Sequence, residues 1–421
     1  MPDSIQRFFF PLAIPVLLAF AVVVARTSQE PPIRVAMLRG IEGQTLRDVI
    51  SEFKKQHGVG FQVDEWEYDE LMRLAREQSK ADLPRYEIVL VDDPWMYGLA
   101  NADRLDKFPE LNGDTDFLPS CLRAAQAPCK ETGTCYYGVP YVGNSQILCY
   151  RKDLTANKPV SDWDDISQLP QPSNHGYRYA MRLERSHPIV ADFLPLLWSY
   201  SPRSLKENPK DPDDIALDET DDNSAKAIRR LLALQREAPM ARMDYQDFDV
   251  AAMLAKGRVA SAVIWSAYAM QMPLALEQEE LDKLKFDQVP GKDQGRVSEL
   301  GIWILAVMHK SRQEKLARTF VLEAAKRENV ILAAKKGNPP VRRSAFESSK
   351  LNSMFPSLPV QLESLEKGRL RPRYATWPAV ERVLAEDLAR LVITHCGPEK
   401  SEPKIDIKEI NKDMKRAAVA N

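Results

Sequence analysis

Histidine and cysteine are scarce, with five of each in 421 residues. The histidines are scattered and none stands at the spacing of a metal-ligand pair, so no metal site is expected. Neither sign of charge is in surplus: 58 basic and 60 acidic residues are interleaved, for a net charge of −2. That balance removes the electrostatic footprint of a nucleic-acid binder or of a protein drawn to an anionic surface. The chain also lacks a phosphate loop, a dinucleotide fingerprint, a nucleophile elbow, a zinc pattern, an RNA-binding signature and an internal repeat. No cofactor is expected. What is left, at 44% hydrophobic and 28% charged residues, is a globular composition with length for two lobes, each with its own core.

Long apolar runs are equally few. The exception is Phe8–Ala25 (FFFPLAIPVLLAFAVVVA), preceded by Arg7. Val23 and Ala25 fit the small-residue rule for cleavage before Arg26, which makes residues 1–32 an export signal. The same run is just long enough to span a bilayer as an uncleaved anchor. No cysteine follows it to carry a lipid. Either way the remainder is expected to be exported, to a periplasmic or other extracytoplasmic location, where a disulfide is permitted. Cys121, Cys129 and Cys135 are close enough for one local bridge, and their spacing leaves the pair open. Cys149 lies in an apolar segment and reads as a buried thiol. An odd cysteine count leaves at least one thiol over, with Cys396 far from the rest.

The mature chain opens as strand, helix, strand, helix, strand: Ile33–Leu38, Gln44–Gln56, Phe61–Trp66, Tyr68–Lys80 and Tyr86–Val91. That alternation is α/β with a mainly parallel sheet. The last strand runs into Asp92-Asp93-Pro94-Trp95, at the carboxyl end where ligands of such sheets gather. Asp93 there is also placed to cap a helix beginning at Pro94. Tyr136–Leu154 (YYGVPYVGNSQILCYRKDL) joins aromatic rings, Gly138, Pro140 and Gly143 to an apolar strand, Ile147–Tyr150, and reads as a crossing between two lobes. Farther on, the strand Arg258–Ile264 ends in Trp265, repeating the pattern at Trp95. Leu300–Met308 is a further apolar strand carrying Trp303, and Arg312–Lys336 reads as one long helix. A segment beginning RPRYATWP then enters a helix.

These stretches, taken in order, resemble the extracellular solute-binding proteins of carbohydrate ABC importers, the maltose- and trehalose-type receptors. The matching residues are Arg34–Phe53, Val91–Trp95, Tyr137–Tyr141 with Asn144, Tyr150–Leu154 leading to Trp163, Lys256–Trp265, Leu300-Gly301 with Trp303, Gly337–Arg342, and Arg371–Tyr374 with Trp377-Pro378. The resemblance implies a two-lobed α/β fold of the type II periplasmic-binding-protein kind, with the ligand in a cleft between the lobes. It places residues 33–143 plus 300–336 in the first lobe and 144–299 plus 339–421 in the second. It also implies a monomer that closes on a sugar by a hinge and delivers it to the transmembrane permease of an ABC transporter. The chain departs from the family at Ile302, where relatives often have a second glycine, at the local cysteine cluster, and at Arg185, Ser186 and His187, where many have small or polar cleft residues.

Sugar chemistry then selects candidates. The C–H faces of a sugar lie well on aromatic rings, and each buried hydroxyl needs a fixed polar partner. Trp95, Tyr141, Trp265, Trp303 and Trp377 are the candidate stacking platforms. Asp93, Asn144 and Arg373 are the candidate hydroxyl partners. Two rival classes share the composition. A carbohydrate-active enzyme needs two carboxyl groups facing across a bond, and the adjacent Asp92 and Asp93 are a poor pair for that. A membrane-tethered sugar sensor would keep Phe8–Ala25 as its anchor.

Overall fold

In the computed structural model, the structure describes residues 31–101, 104–155, 159–172, 176–182, 187–207, 214–238, 247–394 and 404–420. The export segment, Cys396, Arg185 and Ser186 lie outside the described residues. No described helix is long and apolar enough to cross a membrane.

The fold is α/β and two-lobed. Nine strands are linked through one member shared by both sheets. In the first lobe β1 (Ile33–Leu38) pairs in parallel with β2 (Phe61–Trp66) and β3 (Ile88–Asp92). β4 (Val139–Arg151) runs through both lobes. In the second lobe its far half lies between β6 (Val259–Trp265) and β7 (Leu284–Asp287), both antiparallel to it, with β5 (Tyr177–Ala180) at the edge. β8 (Glu299–Val307) closes the first sheet, antiparallel to both β3 and the near half of β4, and carries the short β9 (Arg369–Leu370) at its start. The expected parallel sheet is therefore mixed, because the chain returns to the first lobe along β8 in the reverse direction.

The crossing segment differs from its sequence reading. Gly138, Pro140 and Gly143 sit inside or beside one continuous strand rather than in a loop before it. A register shift at Trp303 and Ile304 of β8 accommodates Pro140, which has no N–H to give the ladder. Gly143 is needed because β4 crosses the chain at Pro340 so closely that a Cβ would lie 2.3 Å from its carbonyl oxygen. Beyond the crossing, both faces of β4 are covered. Leu148 and Tyr150 enter one core of the second lobe, while Ile147 and Cys149 enter the core on the sheet's other side.

Five helices bear on the cleft: α1 (Ile41–His57), α2 (Tyr68–Lys80), α3 (His187–Tyr200), α4 (Ser266–Ala275) and α5 (Trp377–Thr394). The amphipathic α2 buries Leu71, Leu74 and Ala75 against the first sheet, and a capping box of Glu67 and Glu70 starts it. The expected long helix at 312–336 is two helices, Glu314–Ala324 and Arg327–Ala334. Lobe membership also shifts from the sequence reading. Val341, Phe346, Leu351, Phe355 and Leu365 join the first core, while Val360 and Tyr374 pack against the cores of the second lobe and Trp377 is buried there. The reason is local: the chain after Gly337 folds back over β4 before it crosses, as the Gly143 N–H bond to the Pro339 carbonyl (2.9 Å) shows.

Candidate functional site

A cavity of about 500 Å³ opens where strands of the two lobes meet. Its floor is built from β-strand chemistry. Asp92 is the last residue of β3, Asn144 lies at the crossing of β4, and Gly301 and Trp303 stand on β8. Trp265 comes from the end of β6, and Tyr268 from the first turn of α4. Tyr68 enters from the start of α2 and His187 from the start of α3, so the two lobes supply opposing walls.

The aromatic wall is a connected set. Tyr68 meets Trp95 edgewise at 5.0 Å and Trp303 at 6.0 Å, and Trp95 meets Trp303 at 5.7 Å. Tyr68 also stacks flat on His187, with centroids 4.8 Å apart and planes within 6°, which is a contact from lobe to lobe. Trp265 lies over Gly301 so closely that a Cβ there would be 3.0 Å from the indole. Behind that indole, the Arg182 guanidinium sits 5.7 Å from the ring and is itself paired with Asp192.

Polar groups at the floor are held by one another. Arg371 Nη2 donates to Asp92 Oδ1 at 2.7 Å and to Asp93 Oδ1 at 3.2 Å, and its Nε lies 3.5 Å from Glu299 Oε1. Tyr68 Oη donates to the second oxygen of Asp92 at 2.7 Å. Three buried carboxylates thus surround one guanidinium. Burial is the largest influence on Asp93, raising it to about 6, with Arg371 opposing the rise and Asp92 adding to it. Burial likewise pushes Glu299 well above the usual carboxylate range. Burial, with Asp92 beside it, holds the Tyr68 phenol well above the ordinary range. Across the floor, Asn144 Oδ1 accepts from Ser266 Oγ (2.9 Å) and the Ala267 N–H (3.0 Å), and its Nδ2 donates to Glu42 Oε1 (3.3 Å).

Of the eight candidate residues from the sequence, Asn144, Trp265 and Trp303 line the cavity. Trp95 and Asp93 stand one layer behind: Trp95 is 3% exposed and backs the aromatic wall, while Asp93 is fully buried and accepts from the Ile302 N–H at 3.1 Å. The cap of the short helical turn Asp93–Trp95 is Asp92, not Asp93. The other three do not reach the cavity. Tyr141 falls opposite the register shift of β8 and points into the first core, its Oη 3.5 Å from Thr45 Oγ1. Trp377 is fully buried in the second core at the start of α5. Arg373 points away from the cleft, donating to the carbonyls of Arg123, Ala124 (3.0 Å) and Gln126 and covering the Tyr97 ring at 4.8 Å. Arg371, two residues earlier, takes the floor position that the sequence reading gave to Arg373.

Tyr68, His187, Asp92, Glu42 and Arg371 were not among the candidates. A sequence signal existed for Arg371, since two adjacent acids at the end of a buried strand require a cation. No such signal marks Tyr68, whose position follows only from the angle at which α2 leaves β2.

The cysteines resolve the open pairing as Cys129–Cys135, while Cys121 and Cys149 are buried thiols. Possible metal donors come together twice among the described residues, both outside the cleft: Cys129, Glu131 and Cys135, whose thiols form the disulfide, and Asp106, His309 and Glu314, where Asp106 also pairs with Arg318. Chemically, the cleft offers flat apolar faces beside a ring of fixed donors and acceptors. That suits a ligand with apolar faces and polar edges, a few hundred Å³ in size.

Several solved structures share the fold. Maltose-bound T. maritima MalE3 superposes with a TM-score of 0.75 at 17% identity, covering 92% of this chain and 99% of that one. A solute-binding protein of Agrobacterium radiobacter K84 in complex with ribitol gives 0.75 at 18% identity, over 92% of this chain and 97% of that one. One from Thermotoga lettingae TMO, bound with α-D-tagatose, gives 0.76 at 17% identity, over 92% and 100%. No curated protein sequence matches significantly. Residues 39–330, well over half the chain, match the model of bacterial extracellular solute-binding proteins, a family of binding proteins rather than enzymes, and the chain belongs to that family.

Proposed function

We propose that the protein captures a carbohydrate or polyol in the interlobe cleft and delivers it to the permease of an ABC transporter. The observation that carries this reading is the cavity itself: the Trp265 and Trp303 rings stand beside fixed polar groups on Asn144, Asp92 and Arg371. Rings accept the C–H face of a sugar, and buried hydroxyls left unpaired would cost about 1–3 kcal/mol each. The fold neighbours holding maltose, ribitol and tagatose support the same ligand class.

Capture proceeds by closure of the two lobes, with Tyr68 and His187 meeting across the mouth and excluding water. No bond is made or broken. Asp92 and Asp93 share Arg371 and do not face each other across a substrate-sized gap, so they do not form a glycosidase pair. The protein works as a monomer outside the cytoplasm, exported by Phe8–Ala25.

A thermal-shift screen with mono- and oligosaccharides and polyols tests this, since a ligand bound only by the folded chain raises Tm. At least one is expected to do so, and Trp303→Ala should abolish the shift. A shift produced by a peptide or a metal ion, with none from any carbohydrate, overturns the proposal.

A further inference from the structure

Three side chains from distant parts of the chain converge at the end of β8 farthest from the cleft. Trp303, at the cleft, pairs with Asp92, whereas Val307 pairs with Ile88 at the other end of β3. Just beyond Val307, Met308 bridges antiparallel to Leu105. The Asp106 N–H donates to the Val307 carbonyl (2.9 Å) and the His309 N–H to the Arg104 carbonyl (2.7 Å). Asp106 and His309 are therefore diagonal neighbours on one face of that pairing. The chain then turns through Lys310, at φ 61°, and enters the helix Glu314–Ala324 with Glu314 as its first residue.

The distances are those of ligands around an ion. His309 Nδ1 lies 3.7 Å from Asp106 Oδ1 and 3.4 Å from Glu314 Oε2, and all three atoms lie within 4.8 Å of one another. Both separations exceed the roughly 2.7–3.2 Å of an N–H···O hydrogen bond. A protonated ring has one N–H at Nδ1 and can aim it at only one of the two oxygens. A tetrahedral zinc ion, with bonds of about 2.0–2.2 Å, sets its ligands about 3.3–3.6 Å apart. The nitrogen donor argues against calcium, and an octahedral magnesium shell needs shorter edges of about 3 Å. Two carboxylate contacts hold the donors in place, as outer partners of metal ligands do. The second oxygen of Asp106 accepts from Arg318 Nη1 at 3.1 Å, and Glu314 Oε2 accepts from the Lys310 N–H. Arg318 is itself met by Glu110, whose two oxygens lie 2.8 and 2.6 Å from its Nη2.

We propose that Asp106, His309 and Glu314 form a site for a zinc-class divalent cation, with the fourth position left to water. The ion would clip the end of β8 to the segment at 104–106 and to the helix that follows. All three side chains are partly open to solvent, so an ion can reach them. Histidine spacing does not reveal the site, because its donors stand at positions 106, 309 and 314. It is independent of the carbohydrate reading, since the donors and Trp303 lie toward opposite ends of β8.

Titration calorimetry of zinc chloride into the full mature chain, freed of metal with EDTA and dialysed, tests the site. Zinc should bind one to one and raise Tm, and added EDTA should reverse the rise. Cobalt in its place should show the strong visible bands of a four-coordinate centre. His309→Ala and Glu314→Gln should each weaken zinc binding at least about tenfold. Glu131→Gln, in the donor set at the disulfide, should leave it unchanged. No zinc binding by the parent overturns the proposal, as does binding that survives both His309→Ala and Glu314→Gln. Loss of binding in Glu131→Gln places the ion at the hairpin and overturns it too.

Discussion

Asp93 shows how a single residue can be legible in type and not in role. An acid at the end of a buried strand reads as a ligand contact, yet here both neighbours it touches are protein: the Ile302 N–H and Arg371. Its cost is electrostatic. Burial raises Asp93 from an ordinary 3.8 to about 6, so between those values the folded chain holds a proton that the unfolded chain has lost. Stability from this group is therefore greatest below that window and is lost as pH rises through it. Asp93→Asn, which keeps the oxygen that Ile302 uses, should flatten that decline. Urea unfolding at pH values on either side of the window checks it, and an undiminished decline in the variant would assign the loss elsewhere. Trp303 and Trp377 make the same point without charge. Both are tryptophans in apolar surroundings, and only the tertiary path of the chain puts one at the cleft and the other in a core.

At the scale of elements, β4 is the clearest case. Its glycines and proline suggest a flexible hinge, but they answer to close approach and to a register shift in a continuous strand. The strand is continuous, and its pairing passes from the first sheet to the second between Ser145 and Gln146, in its middle. A second element-level device is the segment after β9. Arg371 and Arg373 flank Pro372 and face opposite ways, one to the cleft floor and the other to the end of the short helix Pro119–Ala124 and the disulfide hairpin beyond it. Arg373 thereby ties the hairpin to the cleft-forming segment. Arg373→Met strands three carbonyl acceptors and should lower stability by about 2–3 kcal/mol. Ligand Kd should stay within about threefold of the parent. Calorimetric binding measured beside urea unfolding separates the two effects, and a large affinity loss at unchanged stability would return Arg373 to the cleft.

Across the whole molecule, contacts between the two lobes include the strand β4 shared by both sheets, the Arg371 cluster, and the Tyr68–His187 stack with Glu381 Oε1 3.1 Å from His187 Nδ1. Each side has its own buried apolar core, so the lobes should move as rigid bodies about the crossing. Tyr68→Leu removes the flat stack while keeping an apolar side chain. In the unliganded protein it should enlarge the radius of gyration measured by small-angle X-ray scattering. The saturating ligand should restore the compact value in parent and variant alike. Identical radii for both proteins without ligand would remove the stack from the closing mechanism.

The sequence by itself determined the α/β alternation, the apolar strands at 147–150 and 300–308, the buried state of Cys149, and three of the residues that line the cleft: Asn144, Trp265 and Trp303. These follow from local rules, namely apolar periodicity, strand-end chemistry and the resemblance carried by ordered motifs. Tertiary structure alone decided that Tyr68 and His187 face each other, that Arg371 rather than Arg373 serves the floor, and that residues 341–365 pack in the first lobe. It also decided which cysteines pair. Each of those depends on the angle and order in which distant segments meet, and a linear pattern records what a residue can do but not which remote neighbour it will find.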